Sequence, residues 1–357
     1  MNIRTALVVV SCVLSVVIGL VIARGGDARA GAGIVGNRKP KIGLSLDTLK
    51  EARWQADRDI FEARCKELGA EVLVTEANSD DTRQMSDVHG LITNQVDVLV
   101  IVPHNGTAMA GAVRAAKQAG IPVIAYDRLI RDSELDLYIS FDNVRVGELQ
   151  AQYLVDKLPK GRIVRIYGSK TDNNAFQFKQ GQDNVLKPYI DRGDIKVIHE
   201  DWAEDWKPEN GKRIAQAALT AHPQGFDAIL ASNDGTAGGA IQALSEEKIA
   251  GKVLVTGQDA ELVACQRIVT GTQAMTVYKP LKMLANRAAE VAVQMAKGKP
   301  VIANTSVNNG QIEVPTIAEQ IMATTKENMI DTVIKDGFHP YDAVYGALPA
   351  DQRPPKP

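Results

Sequence analysis

The stretch "VDVLVIVPHNGTAMAGAVRAAKQAGIPVIAYDRLI" (residues 96–130) contains two apolar runs separated by a helical pattern. The runs at 96–104 and 121–127 are short and nearly continuously apolar, which is typical of strands covered on both faces. The segment 106–119 between them is long enough for a crossover helix. The stretch therefore predicts a parallel strand–helix–strand unit.

The same alternation continues along the chain in two successive series. The predicted strands of the first series lie at 41–47, 71–77, 96–104, 121–127 and 137–143, and those of the second at 162–168, 195–201, 226–234, 252–260 and 274–279. Helical patterns separate them; a long helix over 281–297, extended runs at 301–306 and 312–318 and a last helix near 325–335 follow. This repetition predicts an α/β protein with two doubly wound, Rossmann-like parallel-sheet lobes.

The composition is that of an ordinary globular protein. Of the 357 residues, 45% are hydrophobic and 24% are charged, and the formal net charge is −2. Because there is no basic surplus, the chain does not favour nucleic acid as a partner, and because there is no acidic tract, it does not favour disorder. The length suffices for about two domains.

The N-terminal segment 1–30 has the features of a secretory signal peptide. Arg4 precedes an uncharged apolar run (6–23), and Ala28-Arg29-Ala30 has the small-x-small form of a signal peptidase site. We therefore expect export to the periplasm or another extracytoplasmic compartment, with cleavage after Ala30. The apolar run is also near the length that spans a bilayer, so an uncleaved N-terminal membrane anchor is the alternative.

Several other signals are weak. The sequence has no GxGxxG fingerprint, P-loop, CxxC or His pair at i, i+4, so it predicts no cofactor and no metal site. Cys65 and Cys265 are read as isolated small hydrophobes rather than as a disulfide. The "GTAGG" segment (235–239) could hold an anion at a helix start, but a cap with close helix packing is favoured. The proline-rich tail, 341–357, is predicted to be loose.

Polar and aromatic side chains collect where the predicted strands end. Ligands of open α/β sheets bind outside the carboxyl ends of the strands. The residues at or just after those ends are Asp47, Arg53, Trp54, Pro103, His104, Asn105, Asp127, Arg128, Asp142, Asn143, Asp172, Asn173, Asn174, Trp202, Trp206, Asn233, Asp234, Asp259 and Lys279. Planar carboxylate, amide and guanidinium groups each bond two neighbouring hydroxyls, and an indole offers a flat face to the C–H side of a sugar. Three carboxylates balance three cations among the strongest candidates, which favours an uncharged polyhydroxylated ring.

Each candidate also has a structural alternative. Strand-end Asp and Asn residues often act as helix N-caps or turn formers. This alternative has most weight at Asp142, Asn143, Asn173 and Asp234. Asp47 fits a turn former, Trp202 fits a core residue, and the adjacent Asp127 and Arg128 by themselves fit a structural ion pair equally well.

The same residues carry a family resemblance. The segments, in chain order, are "RWQADRDIF", "DVLVIVPHNG", "AYDRLI", "YISFDN", "DNNA", "ASNDGTAGGAIQAL", "GQDA" and "TVYKP". With them the chain resembles the periplasmic sugar-binding proteins of ABC importers over about residues 41–340. The resemblance is strongest to the xylose-binding members, through Arg53-Trp54, "DNNA", Trp206 and the lysine of "VYK".

The resemblance implies a type I periplasmic-binding-protein fold and a non-enzymatic, monomeric receptor. Such a receptor closes two lobes on D-xylose or a closely related aldose and delivers it to an ABC permease in the inner membrane. The resemblance selects ten candidate binding residues from the strand ends, with Trp54 as a stacking wall and the other nine as sugar contacts: Arg53, Asp127, Arg128, Asp172, Asn174, Trp206, Asn233, Asp259 and Lys279. The implied N-terminal lobe is 41–142 plus 280–308 and the C-terminal lobe is 143–279 plus 309–340, with crossings near 142–144, 278–280 and 307–311. His104 departs from the pattern, because it stands where a tyrosine-like residue is expected.

Other functions share the fold or the residues. A secreted glycosidase would use paired carboxylates such as Asp127 and Asp172, but each candidate Asp lies near an Arg, Asn or Lys that argues against a raised pKa. A LacI-type regulator needs an N-terminal helix-turn-helix, and this chain has an apolar leader there. Presentation of the bound sugar to a chemoreceptor or a sensor kinase is a further role that the sequence leaves open.

Overall fold

The computed structural model describes residues 38–357, so the predicted signal peptide lies outside the described residues. The strands are β1 (Lys41–Leu46), β2 (Glu71–Glu76), β3 (Val98–Ile101), β4 (Val123–Tyr126), β5 (Leu137–Phe141), β6 (Gly161–Tyr167), β7 (Ile195–Trp202), β8 (Ala228–Ala231), β9 (Leu254–Val255), β10 (Met275–Tyr278), β11 (Thr305–Asn308), β12 (Glu313–Glu319) and β13 (Met322–Thr325). The helices are α1 (Ala52–Glu67), α2 (Asp81–Thr93), α3 (Ala110–Gln118), α4 (Asn143–Lys157), α5 (Asn173–Asp191), α6 (Pro208–Ala221), α7 (Asp234–Glu246), α8 (Leu262–Thr270), α9 (Leu281–Ala296) and α10 (Tyr341–Tyr345). None of these helices is long and apolar enough to cross a membrane.

The first lobe is built on a sheet with the strand order β11-β12-β5-β4-β3-β1-β2. Its strands are parallel except for the antiparallel edge pair of β11 and β12. Alternate residues of β3 enter two different cores: Val98 and Val100 pack toward α1 and α9, while Leu99 and Ile101 pack toward α2 and α3. Both faces of the strand are thus covered, which is why its sequence is an unbroken apolar run.

The second lobe repeats this plan. Its parallel sheet has the order β7-β6-β8-β9, and the pairing of Gln258 with Val277 joins it to the antiparallel pair β10-β13. Val164 and Ile166 pack toward α6 and α7, and Ile163 packs toward α4 and α5. The doubly wound α/β class predicted for both lobes is therefore confirmed.

The chain crosses between the lobes after β5, after β10 and after β12. We name residues 38–141 and 281–319 the first lobe, and residues 143–278 and 322–357 the second lobe. The predicted third crossing at 307–311 is wrong, because β12 pairs with β5 in the first sheet, with Thr316 opposite Tyr138. Residues 309–319 therefore belong to the first lobe, and not to the C-terminal lobe that was predicted for them. Nothing in a short extended run indicates which sheet edge it will join.

Two predictions for the C-terminal region need correction. The helix predicted near 325–335 is present as a shorter π-helix, Ile330–Ile334, because the Asn328 side chain accepts from Thr325 N and donates to Ala323 O and so fixes a turn before it. The tail 341–357 is packed rather than loose. Val344 and Tyr345 of α10 are buried against α8, and Arg353 donates to the carbonyl oxygens of Gly346 and Leu348. Apolar side chains between the prolines supply this packing.

Helix starts direct the strand-end loops toward the space between the lobes. Asp142, Asp172 and Asn233 each occupy an N-cap and accept a hydrogen bond from a backbone N–H in the first helical turn. The "GTAGG" segment lies in α7, where a Cβ on Gly239 would stand 1.8 Å from the Pro208 carbonyl oxygen. This agrees with the favoured interpretation of that motif, a capped helix that packs closely.

Candidate functional site

A polar cavity lies between the lobes, at the carboxyl ends of the strands. Its volume is about 470 Å³, including the mouth that opens to solvent. All ten candidate residues line it: Arg53, Trp54, Asp127, Arg128, Asp172, Asn174, Trp206, Asn233, Asp259 and Lys279. Sequence positions up to 226 residues apart thus meet in one place, because both sheets turn their carboxyl ends toward the same crevice.

Arg53, in the first turn of α1, is the centre of one charge cluster. Its guanidinium group donates to Asp127, to Asp57 at 3.3 Å and to Asp259 at 3.3 Å. Asp259 belongs to the second lobe, so this arginine joins the two walls. Lys279 adds a second cation, with its Nζ 3.6 Å from Asp259 and 4.0 Å from Asp127.

Arg128 is the centre of a second cluster. Its Nη1 donates to Asp47 at 2.7 Å and to the Pro103 carbonyl oxygen at 3.3 Å, and its Nε lies 3.1 Å from Asp172 of the second lobe. Arg128, Asp47 and Asp172 are all nearly inaccessible to solvent. Asp47 is therefore the buried anchor of Arg128 rather than only a turn former.

The two tryptophans that line the cavity, Trp54 and Trp206, differ in their surroundings. Trp54 is buried, and the guanidinium carbons of Arg53 and Arg128 lie 4.3 and 5.2 Å from its ring centroid. It therefore orients both arginines, besides lining the cavity. Trp206 is half-buried, donates through Nε1 to Asp172 at 3.1 Å, and lies so close to Gly168 that a Cβ there would be 1.9 Å from the ring.

Two asparagine side chains, Asn174 and Asn233, line the cavity and also bond to the surrounding protein. Asn174 donates to the Asp127 carbonyl oxygen at 3.0 Å and accepts from Tyr138 Oη at 3.2 Å. Asn233 uses its Oδ1 to cap α7 through Thr236. Asn233 therefore both caps a helix and lines the cavity.

The backbone at two of these aspartates is strained. Asp127 has φ of 59° and Asp259 has φ of 95°, both in the left-handed region that costs a non-glycine residue about 1–3 kcal/mol. Tyr138 Oη and Ser140 Oγ hold the Asp127 carbonyl oxygen at 2.8 and 2.7 Å. These bonds keep the turn in a conformation that aims the carboxylate at the cavity.

Burial and ion pairing compete at the charged groups. Burial lowers the pKa of Arg53, but Asp127, Asp259 and Asp57 together raise it well above its ordinary value. Burial raises the pKa of Asp127, yet Arg53 and Lys279 outweigh it, and the pKa lies below its ordinary value. At Asp172 burial outweighs Arg128, and the pKa is raised. The argument that paired aspartates exclude a raised pKa is thus wrong for Asp172.

Four cavity residues were not predicted: Glu51, Phe178, Gln258 and Glu261. Gln258 belongs to the quoted "GQDA" motif, and Phe178 lies one helical turn after Asn174, so both could have been found. Buried Oε atoms of Glu51 and Gln258 have no hydrogen-bond partner among residues 38–357. Burial and then Asp259 raise the pKa of Glu261 to about 7. The lining thus has two more carboxyl groups than the balanced set predicted.

Other residues that the sequence singled out lie elsewhere. Asp142 is an N-cap, and Asn143 donates to Asn174 at 3.0 Å from behind the wall. Asp234 is buried under Gln273 and Thr276. Trp202 packs at a tilt against Tyr167 and Phe176 and is not among the residues that line the cavity.

Within residues 38–357, the two cysteines form no disulfide. Cys65 and Cys265 are free and buried in different lobes, which agrees with their interpretation as small hydrophobes. Among residues 38–357 no group of three His, Cys, Asp or Glu side chains is arranged to hold a metal ion.

Two α/β lobes joined by three crossings and enclosing a cavity of paired charges define the class of hinged solute-binding proteins. The family model described as "Periplasmic binding protein domain" matches residues 42–300, and the chain belongs to this family. The resemblance found in the sequence is thereby confirmed.

Curated relatives cover nearly the whole described chain. The D-xylose-binding periplasmic protein of Escherichia coli (strain K12) is 51% identical over 302 residues, which cover 85% of this chain and 92% of the relative. The protein of the same description from Haemophilus influenzae is 49% identical over 305 residues, with the same coverage. The multiple sugar-binding periplasmic receptor ChvE of Rhizobium radiobacter is 33% identical, again covering 85% and 92%.

Solved structures show the same fold. A carbohydrate transporter solute-binding protein from Chloroflexus aurantiacus, in complex with D-glucose, superposes with a TM-score of 0.80 at 32% identity, covering 86% of this chain and 98% of the other. An ABC transporter solute-binding protein from Clostridium phytofermentans with bound β-D-glucose gives 0.79 at 29% identity, covering 85% and 99%.

Proposed function

We propose that this protein is the substrate-binding component of an ABC-type sugar importer and that it binds D-xylose, or a closely related aldose, between its lobes. One observation carries the proposal: all ten residues selected from the sequence line a single interlobe cavity. The 51% identity to a D-xylose-binding periplasmic protein supports xylose as the ligand.

The cavity chemistry suits a neutral sugar. The arginines and Lys279 are already paired with aspartates, so these three cations are neutralised and still present strong donors beside the carboxylate acceptors. The unpartnered buried oxygens of Glu51 and Gln258 are acceptors that sugar hydroxyls would satisfy. A site that pairs every hydroxyl rejects an epimer, because each unpaired polar group costs about 1–3 kcal/mol.

Hinge closure is the mechanism we propose for capture. Asp127 and Arg128 contact the sugar from the first lobe, and Asp172, Asn233 and Asp259 contact it from the second. Sugar bound between the walls stabilises the closed form relative to the open one. Lys279, which lies in the second crossing, acts both as a contact and as part of the hinge.

The proposed protein binds its sugar without turning it over. Asp127, with its lowered pKa, is a poor proton donor, and both carboxylate oxygens of Asp172 are engaged, one by Asn174 N and the other by Trp206 Nε1. A glycosidase needs a free carboxylic acid beside a second carboxylate. The bound sugar would instead pass to a permease in the inner membrane.

The relatives are periplasmic binding proteins, which implies export. We propose that residues 1–30 are the signal for export and that the mature receptor is a monomer. N-terminal sequencing of the exported protein tests this. A chain that begins after Ala30 supports the signal peptide, whereas a chain that keeps residues 1–30 supports the N-terminal anchor.

Calorimetric titration with D-xylose, D-ribose, L-arabinose and D-glucose tests the proposal. We expect D-xylose to bind most tightly, with a Kd in the micromolar range or below and 1:1 stoichiometry. Release of the chromophore from a chromogenic xyloside is measured in parallel and should stay at the rate of the uncatalysed reaction. Absence of a response to every pentose, or turnover of the xyloside, would contradict the proposal.

A further inference from the structure

His104 is held rigidly within the first lobe. It follows β3, where its backbone N–H donates to the buried Gln84 side chain at 2.9 Å. Its Nδ1 lies 2.7 Å from Asp81, whose second carboxylate oxygen accepts from Asn105 at 3.1 Å. The imidazole ring is thus fixed from two sides before it meets the other lobe.

The free edge of this ring reaches across the cleft. His104 Nε2 lies 3.4 Å from Asp205 Oδ1 of the second lobe. Close by, Gly106 N donates to the Thr171 carbonyl oxygen at 3.0 Å, which is a second interlobe contact from the same loop. The side chain of His104 is only 14% exposed, so the contact is shielded from solvent.

The contact lies far from the hinge in the second lobe. Asp205 follows β7, which is at the edge of its sheet, whereas β10 and β13, at the other end, lead into the crossings. When the lobes rotate apart, groups distant from the hinge move furthest. Contacts made there are therefore lost early during opening and act on the rate of opening.

Asp205 also belongs to the loop that carries Trp206. Asp205 and Trp206 have φ of 52° and 58°, a left-handed pair that costs energy unless other bonds support it. Asp205 N donates to Ser169 Oγ at 3.3 Å, and Lys207 Nζ pairs with Asp205 Oδ2 at 2.8 Å. His104 supplies the support that comes from the opposite lobe.

We propose that His104 is a positioning residue that latches the lobes through Asp205 and holds the Trp206 loop against the bound sugar. The inference rests on the proposed function and adds to it a residue that lowers the rate at which the sugar dissociates. His104 is not among the residues lining the cavity, so it acts through the loop and not by touching the sugar. Its place in the latch also gives a reason for a histidine where a tyrosine-like residue was expected.

Stopped-flow measurement of association and dissociation rates tests the latch, with whichever of the four aldoses binds the wild-type protein most tightly. In His104→Ala we expect dissociation about three- to tenfold faster, the range for one lost hydrogen bond, and association changed less than twofold. In an Asp205→Asn background the same substitution should have a clearly smaller effect, because the partner charge is already gone.

His89→Ala is the matched control, since His89 is an exposed histidine of α2 in the same lobe. The latch is refuted if His104→Ala accelerates dissociation no more than His89→Ala, or if its effect is unchanged by Asp205→Asn. Urea unfolding of the variants with and without sugar detects a general loss of stability. If His104→Ala lowers the free energy of unfolding equally in both conditions, the latch is also refuted. If the wild-type protein binds none of the four aldoses, the proposed function fails and the latch fails with it.

Discussion

Asp127 combines a strained backbone with a charge that is nearly removed from water. Its carboxylate has two cationic neighbours, Arg53 and Lys279, and its carbonyl oxygen has three side-chain donors, one of which is Asn174 of the other lobe. Burial of such a group is unfavourable unless it is paired. We infer that these bonds keep the Asp127 carboxylate charged and oriented for a ligand when the cleft closes.

Asp127→Asn should weaken xylose binding about 10- to 100-fold, because a charged acceptor is replaced by a neutral group of the same shape. Isothermal titration measures the change. Asp142→Asn is the control, since Asn is an equally good N-cap and Asp142 lies outside the cavity; its Kd should equal that of the wild type. Equal affinities for the two variants would leave Asp127 with a structural role alone, as the ion-pair partner of Arg53 and Lys279.

Gly168 provides the space that the Trp206 ring occupies. Gly168→Ala would place a methyl group 1.9 Å from the ring carbon and force it to move. We expect sugar affinity to fall at least tenfold and the tryptophan emission of the bound form to shift. Gly90→Ala, in α2, has no neighbour within 4 Å of the new Cβ and should leave both unchanged. An unaltered emission spectrum in Gly168→Ala would contradict this role.

Glu261 links stability to pH. Its pKa rises to about 7 in the folded protein, above about 4.3 for an unfolded chain. The folded state therefore holds the proton more tightly, so this contribution to stability is complete below about pH 4.3 and is lost as the pH rises through about 7. We expect the free energy of unfolding of Glu261→Gln to equal that of the wild type at low pH and to exceed it by about 1–3 kcal/mol at pH 8.

The free energy of unfolding from urea titrations, measured at pH 5 and pH 8, tests this difference. Asp57 has a pKa raised to about 6 by burial, but it is present in both proteins and cancels in the comparison. A constant difference between the two proteins at both pH values would show that Glu261 does not titrate in this range.

At the scale of elements, capping and binding share the same residues. Asp172 and Asn233 each begin a helix and also line the cavity. From the sequence, helix capping and ligand binding were alternative interpretations of such residues. A carboxylate or amide, however, has enough donor and acceptor sites for both roles. Strand-end position was thus a better guide to the cavity than the absence of a structural role.

The short helix α10 stabilises the second lobe. Tyr345 is buried beside Val344 and packs on Tyr341 at 4.8 Å between ring centroids. Tyr345→Ala should lower the free energy of unfolding by about 3–5 kcal/mol, as expected for a buried aromatic side chain. Asp351→Ala, at an exposed position in the same segment, should change it by less than about 0.5 kcal/mol. Equal urea midpoints for the two variants would support a loose tail after all.

At the scale of the whole molecule, the closed cleft is held by ion pairs that cross between lobes. Arg53 with Asp259 and Arg128 with Asp172 are examples, at 3.3 and 3.1 Å. Without a sugar, opening exposes these charges to water, which solvates them again. A bound sugar adds bonds to both walls and shifts the balance toward closure.

Small-angle scattering should therefore show a smaller radius of gyration with xylose than without it. For the 320 described residues, a compact closed form corresponds to roughly 20 Å, and the open form should exceed this value. Asp127→Asn at the same xylose concentration should respond less. Identical scattering curves for the wild type with and without xylose would contradict hinge closure.

The sequence by itself determined the doubly wound fold class, the tandem lobes and the ten residues of the cavity wall. The fold class and the lobes follow from local patterns, apolar runs with helical spacers. The ten residues were selected by the family resemblance from the polar and aromatic residues at strand ends, which parallel sheets bring to one edge. Only the tertiary structure decided that β12 joins the first sheet, that the tail is packed, and that Glu51 and Glu261 line the cavity. It also decided that the arginines stack on Trp54 and that His104 meets Asp205. These features depend on pairing and burial between distant segments, for which no single stretch of the chain carries a signal.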